Sequence, residues 1–133
     1  MPAFVVGQEY ALRELRQVLG LPEEATGGAW FRGYERHGDA FHVFATVRSR
    51  GGRAQAERRD HWEGALLCWS AKGRARIDDP SIQRLVGGTL PVHVFWRTED
   101  GAPFTYAGEG VVKEARDTVP ATVVWECSGR SER

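Results

Sequence analysis

The alternation of apolar and polar positions changes period several times along the chain, and each change marks an element. Over 8–19, Leu12, Leu15, Val18 and Leu19 recur at helical spacing, with Glu9, Arg13, Glu14, Arg16 and Gln17 between them. This predicts an amphipathic helix with one wet side. Gly20 stands where a helix stop is expected, and Pro22 follows it. A short acidic link leads to Gly27-Gly28, a turn or a close backbone approach. Over 41–48 the period drops to two, with Phe41, Val43, Ala45 and Val47 on one face of a predicted strand. Residues 65–69 form a continuous apolar run, as expected of a strand buried on both faces. Asp79-Pro80-Ser81 opens a short helix through Leu85 and Val86, stopped by Gly87-Gly88. A strong strand over 92–97 meets a turn at Glu99-Asp100-Gly101, so 104–108 is expected to pair back as a hairpin. Residues 121–127 supply a last strand, and the polar tail, 128–133, is expected to fray.

Strands outnumber helices, and the early loops are long. The expected fold is α+β: a small, bent, mainly antiparallel sheet or partly closed barrel with an N-terminal helix and a short additional helix. No repeat, low-complexity segment or linker divides the chain, so 1–133 is expected to be a single domain. A chain of 133 residues buries roughly two thirds of its unfolded surface, enough to fold without a disulfide or a metal. The hydrophobic fraction of 41% argues against disorder. No window approaches the ~18 apolar residues of a membrane span. The first seven residues lack the basic region and apolar run of a secretory signal. A cytoplasmic location away from membranes follows, with Cys68 and Cys127 as buried reduced thiols.

Charge modifies this picture locally. The net charge is zero, but residues 30–59 set seven arginines (Arg32, Arg36, Arg48, Arg50, Arg53, Arg58, Arg59) against Glu35, Asp39 and Glu57, a balance of +4. Residues 72–96 set Lys72, Arg74, Arg76 and Arg84 against Asp78 and Asp79, a balance of +2. A neutral chain is not a bulk polyanion binder, yet a local arginine field can still grip a few phosphates by bidentate contacts. A GC-rich genome would explain the same arginine bias.

Most catalytic chemistries find no support. The Gly-Gly pairs at 27, 51 and 87 lack Walker spacing and a following Lys-Ser/Thr. The cysteines are 59 positions apart, and His37, His42, His61 and His93 show no zinc-ligand spacing. Asp60-His61-x-Glu63 invites an acid–base or metal-nuclease reading, but it matches no nuclease motif, and a solvated loop accounts for His61 and Glu63. A binding domain without catalysis or cofactor is expected. The aromatic residues point the same way. Trp96 and Trp125 sit within strong strands and suit the core. Trp30, Tyr34 and Trp62 sit in glycine-bearing or charged stretches, where packing and ligand binding are both open, and Trp69 is intermediate. Rings that stack on a flat base, with a carboxylate to accept from its exocyclic amine, form the pocket of proteins that extrude a nucleotide. Asp60 is placed for that role, and also for capping a loop.

The motifs fall in a recognisable order. Gly27-Gly28-x-Trp30-x-x-Gly33-Tyr34 is followed by Asp60-x-Trp62, Leu67-Cys68-Trp69-Ser70 and Val94-Phe95-Trp96-Arg97. Phe104-Thr105-Tyr106-Ala107-Gly108 and Pro120-Ala121-Thr122-Val123-Val124-Trp125 complete it. This order resembles the uncharacterised domain at the C-terminus of bacterial helicase-nuclease restriction proteins. It is also similar to the reader domains of HNH-type, modification-dependent restriction nucleases. The resemblance implies an SRA/PUA-like barrel that reads modified cytosine, 5-methylcytosine above all, by base flipping in a restriction or defence system. It implies base contacts from Trp30, Tyr34, Asp60, Trp62, Trp69 and Ser70, with Tyr34 and either Trp62 or Trp69 as the sandwich and Asp60 as the polar reader. Arg32, Arg48, Arg50, Arg53, Arg58, Arg59 and Lys72 would contact phosphates. In the family a tyrosine often stands two positions before the acidic residue, and here that position is Arg58. The implied partners are duplex DNA carrying a modified base and an effector nuclease or helicase, in trans or in a longer chain. The other classes left open are an RNA-binding PUA-like module and a protein-interaction domain with an aromatic docking groove.

Overall fold

A computed structural model describes residues 4–19, 34–37, 39–47, 60–71, 75–88, 90–98, 102–118 and 121–128. In chain order these form β1 (Glu9–Tyr10), α1 (Leu12–Leu19), β2 (Tyr34–His37), β3 (Ala40–Thr46), β4 (His61–Glu63) and β5 (Leu66–Ser70). Then follow α2 (Pro80–Val86), β6 (Val92–Arg97), β7 (Phe104–Arg116) and β8 (Thr122–Cys127). The expected α+β class is found: the described residues are mostly sheet, with two helices among them. The strand order is β2-β3-β6-β7-β8-β5-β4, with β1 paired onto β7 outside that path. Every pairing of these strands is antiparallel except β3 with β6.

The sheet owes its shape to β7. Its first part pairs with β6, from Thr105 opposite Trp96 to Glu109 opposite His93. Its second part pairs with β8, from Gly110 opposite Cys127 to Arg116 opposite Thr122. Register shifts lie at Val94/Phe95 and Val112/Glu114, and such bulges bend and twist a strand. Gly110 sits at the handover. A Cβ there would stand 2.7 Å from Val94 Cγ2 and 2.9 Å from Trp125 Cε3, closer than packed atoms approach. The Ser128 N–H donates to the Glu109 carbonyl at 2.9 Å, and the Glu109 N–H donates to Ser128 Oγ at 3.1 Å, pinning the bend from the end of β8.

The bend folds one half of the sheet over the other around a common core. Phe41, Val43, Ala45 and Val47 face inward from β3, as their alternation predicts, and meet Leu67, Trp69, Val123 and Trp125. Ile82 and Leu85 of α2 enter the same cluster. The Trp69 Nε1–H crosses this core to donate to the Phe44 carbonyl at 3.3 Å. Near the two ends of the strand order, Val47 and Asp60 form an isolated bridge. The sheet nevertheless stays open: among the described residues β2 and β4 share no ladder.

A second cluster covers the outer face of β3, β6 and β7. Leu15 of α1 packs with Tyr10, Phe44, Phe95, Phe104 and Tyr106, and Phe4 lies across them. Helix α1 is shorter than its periodicity predicts. Residues 9–10 pair with Thr105 and Phe104 instead of joining the helix, which buries Tyr10. The Tyr10 hydroxyl then accepts from the Val5 N–H at 2.8 Å, and Glu14 caps the helix start by accepting from the Ala11 N–H at 2.8 Å. His93 joins this cluster, its Nδ1 2.7 Å from the Tyr106 hydroxyl. Burial holds its imidazole below the ordinary 6.5, against a smaller opposing effect of the Glu109 charge. Burial also pushes the Tyr106 phenol up to about 12.

Two outcomes follow. Gly110→Ala should cost about 1–3 kcal/mol through overpacking, read as a lower urea midpoint at unchanged m. For His93, the unfolded chain takes up the proton at a higher pH than the folded one. Its contribution is therefore present above 6.5 and lost as pH falls towards the folded value. The midpoint should fall between about pH 7 and pH 5, and His93→Gln should flatten that slope.

Candidate functional site

The β4–β5 hairpin is organised by a two-residue turn, Gly64-Ala65, in which Gly64 takes φ +64. A glycine at that loop position suits a tight hairpin and fixes its register. Glu63 faces Leu66, Trp62 faces Leu67 and His61 faces Cys68. Directly opposed residues share a face of the sheet. Trp62 therefore lies with Leu67 on the inner face. Asp60 precedes the strand, and its carboxylate reaches the Ser70 backbone at the far end of β5. His61, Glu63 and Cys68 occupy the outer face.

On the inner face, half-buried rings gather along a margin of the core. Trp62 meets Trp96 of β6 edge to face, with ring centres 5.6 Å apart. Tyr34, at the start of β2, approaches Trp69 of β5 in the same manner at 5.7 Å, and lies 6.3 Å from Phe41. Tyr34, Trp62 and Trp96 are all partly buried against the core. Asp60 Oδ1 accepts from the Ser70 N–H at 2.8 Å, latching the open end of the hairpin. Asp60 thus fills a structural role akin to the loop-capping alternative. Its bridge to Val47 also means that the arginine-bearing segment 48–59 leaves and rejoins the described fold at one point.

Trp69 calls for a correction. It stands among the largest fully buried side chains, with no exposed surface, so it offers no face to a stacking ligand. Its parity with Leu67 sends it inward, and its indole N–H is used on Phe44. Trp125 is core, as expected, whereas Trp96 is only half-buried. Ser70 is half-buried at the latch, with its N–H engaged by Asp60. Trp30, Arg32, Arg48, Arg50, Arg53, Arg58, Arg59 and Lys72 lie outside the described residues.

The outer face of the hairpin carries His61 and Glu63, whose sequence suits a solvated loop but which belong to strand β4. His61 Nε2 is 3.1 Å from Glu63 Oε2, and Arg116 Nη2 is 3.7 Å from Glu63 Oε1. Hydrogen bonds from His61 and then Cys68 hold the Glu63 carboxyl below the ordinary 4.5. Burial, followed by the Glu63 charge, pushes the Cys68 thiol up to about 11, leaving it almost wholly protonated at neutral pH. Cys68 and Cys127 are both buried. Among the described residues no helix is long and apolar enough to cross a membrane.

Trp69→Ala should cost about 3–5 kcal/mol of stability, measured by chemical denaturation, as expected for a core ring. Asp60→Ala should cost about 1–3 kcal/mol by stranding the Ser70 N–H, with most of the loss restored in Asp60→Asn. Comparison of the chain with protein-family models and with curated proteins finds no match.

Proposed function

We propose that the protein is a non-enzymatic reader of a modified base in duplex DNA, 5-methylcytosine foremost, acting in a restriction or defence system. In this reading the bent sheet is of SRA/PUA type, and the base flips into the aromatic margin of the core, with Tyr34 and Trp62 as walls and Asp60 as polar reader. The observation that carries the reading is the pair of half-buried rings near the two ends of the strand order, Tyr34 against Trp69 and Trp62 against Trp96. Asp60, two positions before Trp62, bridges to Val47, and the arginine-rich stretch 48–59 joins these two residues in the chain.

Each residue has a role. Tyr34 and Trp62 form the sandwich in place of the buried Trp69, and Trp96 backs Trp62. Asp60 accepts from the exocyclic amine of the base while remaining on the Ser70 N–H. Trp30 contributes a further ring. Arg32, Arg48, Arg50, Arg53, Arg58, Arg59 and Lys72 hold phosphates on either side, fixing position without reading sequence. The effector is a nuclease or helicase supplied in trans or by a longer chain.

The test is competition between methylated and plain duplexes of one sequence at fixed, moderate salt. The methylated duplex should win. A stacked base is worth about 1–3 kcal/mol, so Tyr34→Ala or Trp62→Ala should remove most of that preference. Arg50→Ala or Arg53→Ala should weaken both duplexes alike and reduce the salt slope by about one. Equal binding of the two duplexes by the unmutated protein overturns the reading. Preference for structured RNA in the same assay favours an RNA-binding PUA-like module, and no nucleic-acid binding at all favours a protein-docking groove.

A further inference from the structure

The outer face of the β4–β5 hairpin brings together three side chains that the aromatic margin does not use. Their donor atoms, on His61, Glu63 and Cys68, all lie within 4.8 Å of one another. The tight turn at Gly64-Ala65 sets His61 directly opposite Cys68, and Glu63, two positions from His61, completes the triangle from the same face. In a tetrahedral zinc site, bond lengths of about 2.0–2.3 Å place neighbouring donors about 3.3–3.6 Å apart. His61 Nε2 and Glu63 Oε2 already stand at 3.1 Å, so convergence asks for little more than side-chain rotation.

We propose that His61, Glu63 and Cys68 bind a first-row divalent metal ion of borderline softness, zinc in the first instance. A mixed nitrogen, oxygen and sulfur set suits zinc, while magnesium and calcium demand oxygen. The Cys68 thiol forms the buried floor, and the His61 and Glu63 side chains, 39% and 49% exposed, form the rim through which a hydrated ion arrives. Binding displaces the thiol proton to solvent and forms a sulfur–metal bond; neutral His61 coordinates through Nε2 and keeps its hydrogen on Nδ1. The charges balance. The Glu63 carboxylate and the Cys68 thiolate together neutralise the ion. Arg116, 3.7 Å from Glu63, is itself matched by Glu114, with Nε 2.9 Å from Oε2. Three protein ligands leave the fourth position to water.

The experiment titrates the chelator-treated whole chain with cobalt(II), followed by absorption, and with zinc, followed by calorimetry. One equivalent of cobalt should bind with a near-ultraviolet thiolate charge-transfer band that zinc abolishes. The band should survive Cys127→Ser and vanish in Cys68→Ser. His61→Gln and Glu63→Gln change partly exposed side chains outside the hydrophobic core, and each should weaken binding at least about tenfold. They keep the test decisive even if Cys68→Ser fails to fold. No stoichiometric binding, or binding indifferent to His61→Gln and Glu63→Gln, overturns the proposal.

Discussion

The contact of Gly110 with Val94 and Trp125 is the point on which the architecture turns. One strand, β7, serves both halves of the sheet, and it does so only because nothing projects from Gly110 into the space held by those two side chains. A flat sheet would leave the inner faces of β3 and β5 unpaired. The bend instead sets Phe41, Val43, Ala45 and Val47 against Leu67 and Trp69, and the apolar surface of each half becomes the core of the other. The Trp69 indole bond to the Phe44 carbonyl then ties the halves at a buried point, where an unsatisfied donor would be costly.

The same bend decides where ligands could meet the protein. It draws Tyr34 from one end of the strand order towards Trp69 near the other, and it brings Trp62 onto Trp96. The inner margin becomes aromatic and half-buried, while the outer face of the same hairpin carries histidine, carboxylate and thiol. Two chemically distinct surfaces lie back to back on ten residues because strand parity alternates and the turn at Gly64 fixes the register.

Much of the fold is legible in local pattern. The strand expected over 41–48 and found as Ala40–Thr46, the helix opened by Asp79-Pro80 and the strand over 92–97 follow directly from periodicity and stop signals. The misses share a cause: non-local partners. Tyr34–His37 and His61–Glu63 are edge strands rich in charge, and they look like loops until β3 and β5 claim them. The second half of β7 is hidden by Glu109, Lys113 and Glu114, whose polarity suits its solvent-facing side. Tyr10 lies in helical periodicity but is pulled into a ladder by Phe104. At the candidate site, Trp62 and Trp69 look equivalent by composition, and only their pairing separates a margin ring from a core ring. The His61–Cys68 proximity escapes any spacing rule for metal ligands, because a seven-residue separation brings side chains together only across a two-residue turn.

The parallel ladder of β3 with β6 has a kinetic consequence. Antiparallel neighbours such as β6, β7 and β8 follow one another through short connections and assemble locally. The β3–β6 ladder, from Phe41 opposite Val92 to Thr46 opposite Arg97, joins segments some fifty positions apart, with β4, β5 and α2 between them. Closing that crossover fixes a long stretch of chain before the pairing gives anything back. Contact order therefore predicts the β6–β7–β8 meander as the nucleus and the docking of β3 as the late, slow event. Until it happens the inner edge of β6 stands open as a template for another chain, so crowded refolding is the condition in which this molecule is most exposed to misassembly.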